Sequence, residues 1–96
     1  MSESQLINHF ITSRVRSKLL RIFCKYPKSP VHVRAIAKAI NEDPGNVARE
    51  LADLEKIGFL NSTKEKNKKI YIANTDFIIY RELQAIILKT EPKVIL

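Results

Sequence analysis

Between Asp43-Pro44 and Gly58 the chain specifies one helix by both of its ends. An aspartate before a proline starts a helix: the carboxylate accepts from free N–H groups of the first turn, and proline sits where no donor is missed. The negative charge also favours the positive end of the helix dipole. Gly58 closes the helix as a left-handed cap. Val47, Leu51, Leu54 and Ile57 recur at helical spacing and are expected to point inward. Gly45, Asn46, Ala48, Arg49, Ala52 and Asp53 are then left exposed. Any fold for this chain must place that polar face where it has a use.

The flanking pattern supplies the companions. A first helix is expected over 14–26, with Val15, Leu19, Ile22, Phe23 and Tyr26 on one face, Ser13 as its cap and Pro27 with Pro30 as its stop. Residues 4–11 are weakly helical and are expected to join it. Val31-His32-Val33 can form a short strand. Val33, Ile36, Ala37 and Ile40 fall at i, i+3, i+4 and i+7, which predicts a second helix over 33–40, broken by Asn41-Glu42. After Gly58, residues 59–63 and 70–74 are β-prone segments around the polar tip 64–69. Asn67 is the tip residue expected to take a positive φ, since the tip has no glycine. Thr75 or Asp76 then caps a last helix over about 76–90, stopped by Pro92. Its apolar residues Phe77, Ile78, Ile79, Tyr80, Leu83, Ile86, Ile87 and Leu88 span a wider arc than one small core uses.

A length of 96 residues suits one core, so one domain over 1–96 is expected, α+β and mostly helical. Lys+Arg 17 against Asp+Glu 10 leaves a net charge of +7, which fits a partner carrying phosphates. Charge alone does not separate nucleic acid from an anionic membrane surface. Cys24 is the one cysteine, so neither an internal disulfide nor a multi-thiolate metal site fits within a chain, and a cytoplasmic setting is expected. No apolar run approaches the roughly 18 residues of a membrane span, and Met1–Phe10 lacks the apolar core of a signal peptide. His9 and His32 stand apart from acidic clusters, so no metal or other cofactor is expected. With no nucleophile–base or carboxylate pair suggested by spacing, the chain is not expected to be an enzyme.

Two short helices joined by a few residues make a helix-turn-helix over about 33–58, followed by a hairpin over about 59–74. The second helix of such a pair can enter a major groove of double-stranded DNA and read base edges. Pro44, Gly45, Asn46, Ala48 and Arg49 are the expected base-reading residues. Gly45 and Ala48 allow close approach; Asn46 and Arg49 can contact adenine and guanine edges in bidentate fashion. Glu50 and Asp53 follow, where a carboxylate repels phosphate unless paired. Arg34, Lys38, Lys64, Lys66, Asn67, Lys68 and Lys69 are the expected phosphate contacts, and Arg14, Arg16 and Lys18 can extend that footprint.

Each assignment has a plainer alternative. Arg49 can pair with Asp53 at i+4. Asn46 can serve only its own helix start. The lysine-rich tip can simply block strand pairing. Tyr71 is expected to pack rather than stack on bases, and Cys24 to act as a small packing residue.

The runs Ser13-Arg14-Val15-Arg16-Ser17-Lys18-Leu19-Leu20, Val33-Arg34-Ala35-Ile36-Ala37 and the stretch from Asn46 to Leu60 resemble the winged helix-turn-helix of the ArsR-like transcriptional regulators. The ending with Asn74, Tyr80, Glu82-Leu83 and Leu88-Lys89-Thr90 is similar to the subgroup found fused to, or beside, small nucleotidyltransferase domains. The resemblance implies that the helix with Asn46 and Arg49 is the recognition helix, that 64–69 is the wing, and that the terminal helices form a symmetric dimer. Phe10, Phe77, Tyr80, Leu83, Ile86 and Ile87 are the expected dimer contacts. The chain departs from the family in three ways. Its wing tip has no glycine, it has no Gly-Ser followed by paired aspartates, and its recognition helix has no thiolate pair. The last two remove transferase chemistry and thiolate metal sensing.

The leading functional expectation is a dimeric regulator, a repressor, on a roughly palindromic duplex site. The rival is a winged helix that docks onto a partner protein such as a nucleotidyltransferase.

Overall fold

The computed structural model describes residues 13–90. The expected helical stretch 4–11, and Phe10 with it, lies outside them. Helix α1 spans Arg14–Lys25, strand β1 Val31–His32, helix α2 Val33–Ile40, helix α3 Pro44–Lys56, strands β2 Leu60–Glu65 and β3 Lys68–Ala73, and helix α4 Tyr80–Thr90. The strands form one antiparallel sheet in the order β1-β3-β2, with Val31 opposite Tyr71 and Leu60 opposite Ala73.

The starts of α1 and α3 and the ends of α2 and α3 have local causes. The Ser13 side chain accepts from the Arg16 N–H at 3.1 Å, and the Asp43 carboxylate accepts from the Asn46 N–H at 3.0 Å. Pro44 takes the first turn of α3, as the sequence predicts. At the far end of α3 the Phe59 N–H donates to the Leu54 carbonyl and the Gly58 N–H to Glu55, both at 3.0 Å, with Gly58 at φ 96°. This paired closure satisfies two carbonyls that helical geometry orphans. Asn41, at φ 56°, closes α2 in the same way.

Leu19, Phe23, Val47 and Leu51 are fully buried, with Phe59 and Leu60 beside them. The core thus lies where α1, α3 and the base of the hairpin meet. Burying each such side chain stabilises the fold by roughly 1.5–3 kcal/mol, so these contacts, rather than helix propensity, hold short helices in place.

Four details differ from the sequence expectation. Ile57 is 63% exposed, because at about 100° per residue it lies well off the Val47–Leu51–Leu54 stripe. Tyr26 is 54% exposed, since α1 ends at Lys25 and Tyr26, at φ -128° and ψ 66°, no longer follows the helical face. The strands run further toward the tip than expected, leaving a two-residue turn at Lys66-Asn67 with φ 49° and 67°. Positive φ at both positions is a type I′ turn, whose twist matches the strands. The last helix begins at Tyr80, because Asn74–Ile79 is occupied by turns: the Asn74 side-chain carbonyl accepts from the Asp76 N–H at 3.1 Å.

Candidate nucleic-acid interface

The exposed start of α3 carries Gly45, Asn46 and Arg49, with Ala48 half-buried beside them. The Arg49 guanidinium donates to the Asn46 side-chain carbonyl, so the two side chains lie together along the helix. The Asn46 amide nitrogen and the remaining guanidinium N–H groups stay available, and a carbonyl oxygen accepts a second hydrogen bond. Arg49 is therefore not paired with Asp53, which lies toward Arg16. Gly45 has a structural reason of its own: a Cβ there would stand 3.0 Å from the capping oxygen of Asp43.

The carboxylates further along α3 are accounted for. Arg16 reaches across from α1 to Glu50 at 2.7 Å and approaches Asp53 at 3.6 Å. Glu55 accepts from the Ser62 hydroxyl and from Lys69 at 2.9 Å, which lowers its pKa, the hydroxyl contributing most. The negative charges of α3 are thus tied inward or toward the sheet.

Arg14, Arg16 and Lys18 of the first helix have carboxylate partners of their own. Arg16 is committed to α3. Arg14 grips Glu42 with two N–H groups at 2.8 and 3.0 Å, and Lys18 donates to Glu42 at 2.6 Å and to the Ile40 carbonyl at 2.9 Å. The Glu42 side chain is only 5% exposed, and its bonds to Arg14 and Lys18 hold its pKa down to about 2. Arg14 and Lys18 thus lock α1 onto the turn of the helix-turn-helix, and Arg16 locks it onto α3. Their partners are distant in sequence, so spacing gives no sign of these pairs.

Among the described residues Arg34, Lys38, Lys64, Lys66 and Lys68 have no ion pair and are exposed. Asn67 is exposed at the tip of the hairpin. Lys69 is engaged by Glu55 and lies 5.2 Å over the Tyr71 ring. Tyr71 itself is buried, as packing requires. The wing therefore offers three unpaired lysines and not four.

The expected dimer contacts are dispersed. Tyr80 and Ile87 are buried in the chain's own core, and the Tyr80 hydroxyl donates to the Phe23 carbonyl at 2.9 Å. Phe77 and Leu83 are half-buried, with Phe77 set edge-on to Phe59 at 5.9 Å. Ile86 is exposed, and so are Ile78, Ile79 and Leu88. The reason is Tyr80: stacking it on Phe59 turns the first helical residue inward and leaves the preceding isoleucines outside. Cys24 is buried, and burial pushes its thiol up to about 12, so it packs as a small apolar residue.

No helix of the described residues is long and apolar enough to cross a membrane, and none of their His, Cys, Asp and Glu residues group as a metal site. No family model matches the chain, and no curated protein matches it in sequence. A solved structure does match in fold: the crystal structure of MepR, a transcription regulator of the Staphylococcus aureus multidrug efflux pump MepA. It superposes with a TM-score of 0.69 at 18% identity, covering 93% of this chain and 67% of that chain. The fold is a winged helix, with α2 and α3 as its helix-turn-helix and β2–β3 as its wing.

Proposed function

We propose that this chain is a sequence-specific regulator that binds double-stranded DNA. The observation that carries the reading is the start of α3, where Asn46 and Arg49 lie together in the open while Glu50 and Asp53 are held on Arg16. Such a face can meet base edges, with Asp43 bonded to the helix start and the later carboxylates drawn toward Arg16. Pro44, Gly45, Asn46, Ala48 and Arg49 take the bases. Arg34, Lys38, Lys64, Lys66, Asn67, Lys68 and Lys69 take the phosphates, Lys69 least because Glu55 already holds it. That MepR is a transcription regulator supports the same reading. Within it, the chain is an ArsR-like repressor, one winged domain acting in the cytoplasm without cofactor or catalysis. Two copies are joined through α4 and the N-terminal segment. The two recognition helices then meet successive major grooves of a roughly palindromic site.

The deciding measurement is fluorescence anisotropy with duplex from the chain's own promoter and a scrambled duplex, at two salt concentrations. A gap of about a thousandfold or more, kept at the higher salt, is the expected result. Equal binding that collapses with salt overturns base reading and favours the second reading, a winged helix that docks onto a partner protein. The exposed Ile78, Ile79, Ile86 and Leu88 are the observation behind that alternative.

A further inference from the structure

Where β1 gives way to α2, the wing and the helix-turn-helix border an open cavity of about 400 Å³, lined by His32, Val33, Arg34, Lys68 and Lys69. The last β1 pair is His32 with Ile70, so Lys68 and Lys69 lie on a stretch of β3 that β1 does not cover. No carboxylate lines the cavity. Arg34 and Lys68 have no ion pair among the described residues, and His32 precedes α2 without a side-chain capping bond. The first amides of α2 point N–H groups out of the helix, as its geometry requires.

We infer that this cavity is a seat for a phosphate group carried on a sugar, supplied by a duplex backbone or by a free mononucleotide. The chemistry is complementary throughout. A guanidinium fork matches two phosphate oxygens, Lys68 adds a point charge, and helix-start amides add neutral donors. The volume lies in the range of about 300–1,000 Å³ found for small-ligand sites, more than a bare phosphate fills. His32 gives one wall a flat ring against which a sugar can rest. Only the duplex as a source rests on the proposed function; the seat itself does not.

The test follows the backbone amides of the full ¹⁵N-labelled chain by NMR during separate titrations with inorganic phosphate, adenosine 5′-monophosphate and the promoter duplex. The nucleotide is expected to shift Val33, Arg34, Lys68 and Lys69 saturably, more tightly than inorganic phosphate. In an Arg34→Ala, Lys68→Ala double variant its Kd is expected to rise more than tenfold. Both residues are exposed, and an otherwise unchanged spectrum shows that the variant is folded. If the duplex moves the same amides and excess nucleotide reverses those shifts, the backbone is the source. If it moves Asn46 and Arg49 but not the cavity, the seat stands and its source is the free nucleotide. Saturable nucleotide shifts with no duplex response anywhere uphold the seat while the duplex reading fails. Unmoved cavity amides under every titrant, or equal shifts in the double variant, overturn the seat even where the duplex binds.

Discussion

Arg49 leans on Asn46 rather than on Asp53, and the consequence is a division of roles that mutation can separate. A side chain held beside its neighbour presents its donors in a fixed direction, which suits one base edge better than others. Arg49→Ala is expected to cost about 1–3 kcal/mol on the preferred duplex and to flatten preference at one position, measured by competition among single-base variants. Lys66, unpaired at the tip, has no such direction. Lys66→Ala is expected to weaken every duplex alike and to lower the slope of log affinity against log salt by about 0.9. Should Lys66→Ala change preference while Arg49→Ala does not, these assignments are reversed. Arg49 was legible in the sequence, because a capped helix start fixes which side chains of its first turns stay outside. Arg16 was not. Its partner Glu50 is 34 residues away, and only the packing of α1 on α3 brings them together.

At the level of elements, α3 is closed by Gly58, whose φ of 96° is one that a Cβ resists. An added Cβ would lie 3.5 Å from the Phe77 ring, an ordinary contact, so the cost of Gly58→Ala is in the backbone. We expect a loss of about 1–2 kcal/mol in urea unfolding, from the strain of left-handed backbone in an L-residue. A midpoint unchanged from the parent chain contradicts that account. The wing poses the converse case, since Lys66 and Asn67 adopt positive φ without a glycine. Replacing them with Asn-Gly, by Lys66→Asn and Asn67→Gly, gives the pair that a type I′ turn favours. That change is expected to raise stability by a few tenths of a kcal/mol to about 1, with the same urea assay as the check. Helix α3 was legible almost to the residue because its caps are local chemistry, and α2 because its apolar residues keep a helical period until Asn41. The start of α4 was not, because Asp76 resembles a cap while its backbone N–H donates to the Asn74 side-chain carbonyl in a turn. That turn carries Phe77 onto Phe59 before the helix can begin, a tertiary demand with no local signature.

For the molecule as a whole, the question is how a chain with a net charge of +7 keeps its positive groups apart from its structural ones. Carboxylates gather around α1 and α3, while Arg34, Lys38 and the unpaired wing lysines have no such partners among the described residues. If two copies join through α4, Ile86→Lys is expected to convert a dimer to a monomer in sedimentation velocity and to weaken duplex binding. A parent chain that sediments as a monomer at micromolar concentration removes that arrangement. The Glu42 clamp makes the last and sharpest case, since it ties α1 to the helix-turn-helix over 28 residues of sequence. Arg14 and Lys18 hold its carboxyl down to about 2 against an ordinary 4.5, so the folded chain favours the ionised form. A depressed folded-state pKa contributes stability that is fully present above about 4.5 and is lost as pH falls toward about 2. Glu42→Gln removes the charge at every pH. It is therefore expected to lower the urea midpoint at pH 7, with the gap from the parent chain closing as both are brought from about 4.5 down to about 2. A gap that stays constant over that range would show that Glu42 acts by shape and neutral hydrogen bonding alone. The first helix would then be held to the helix-turn-helix by its buried leucines and phenylalanine.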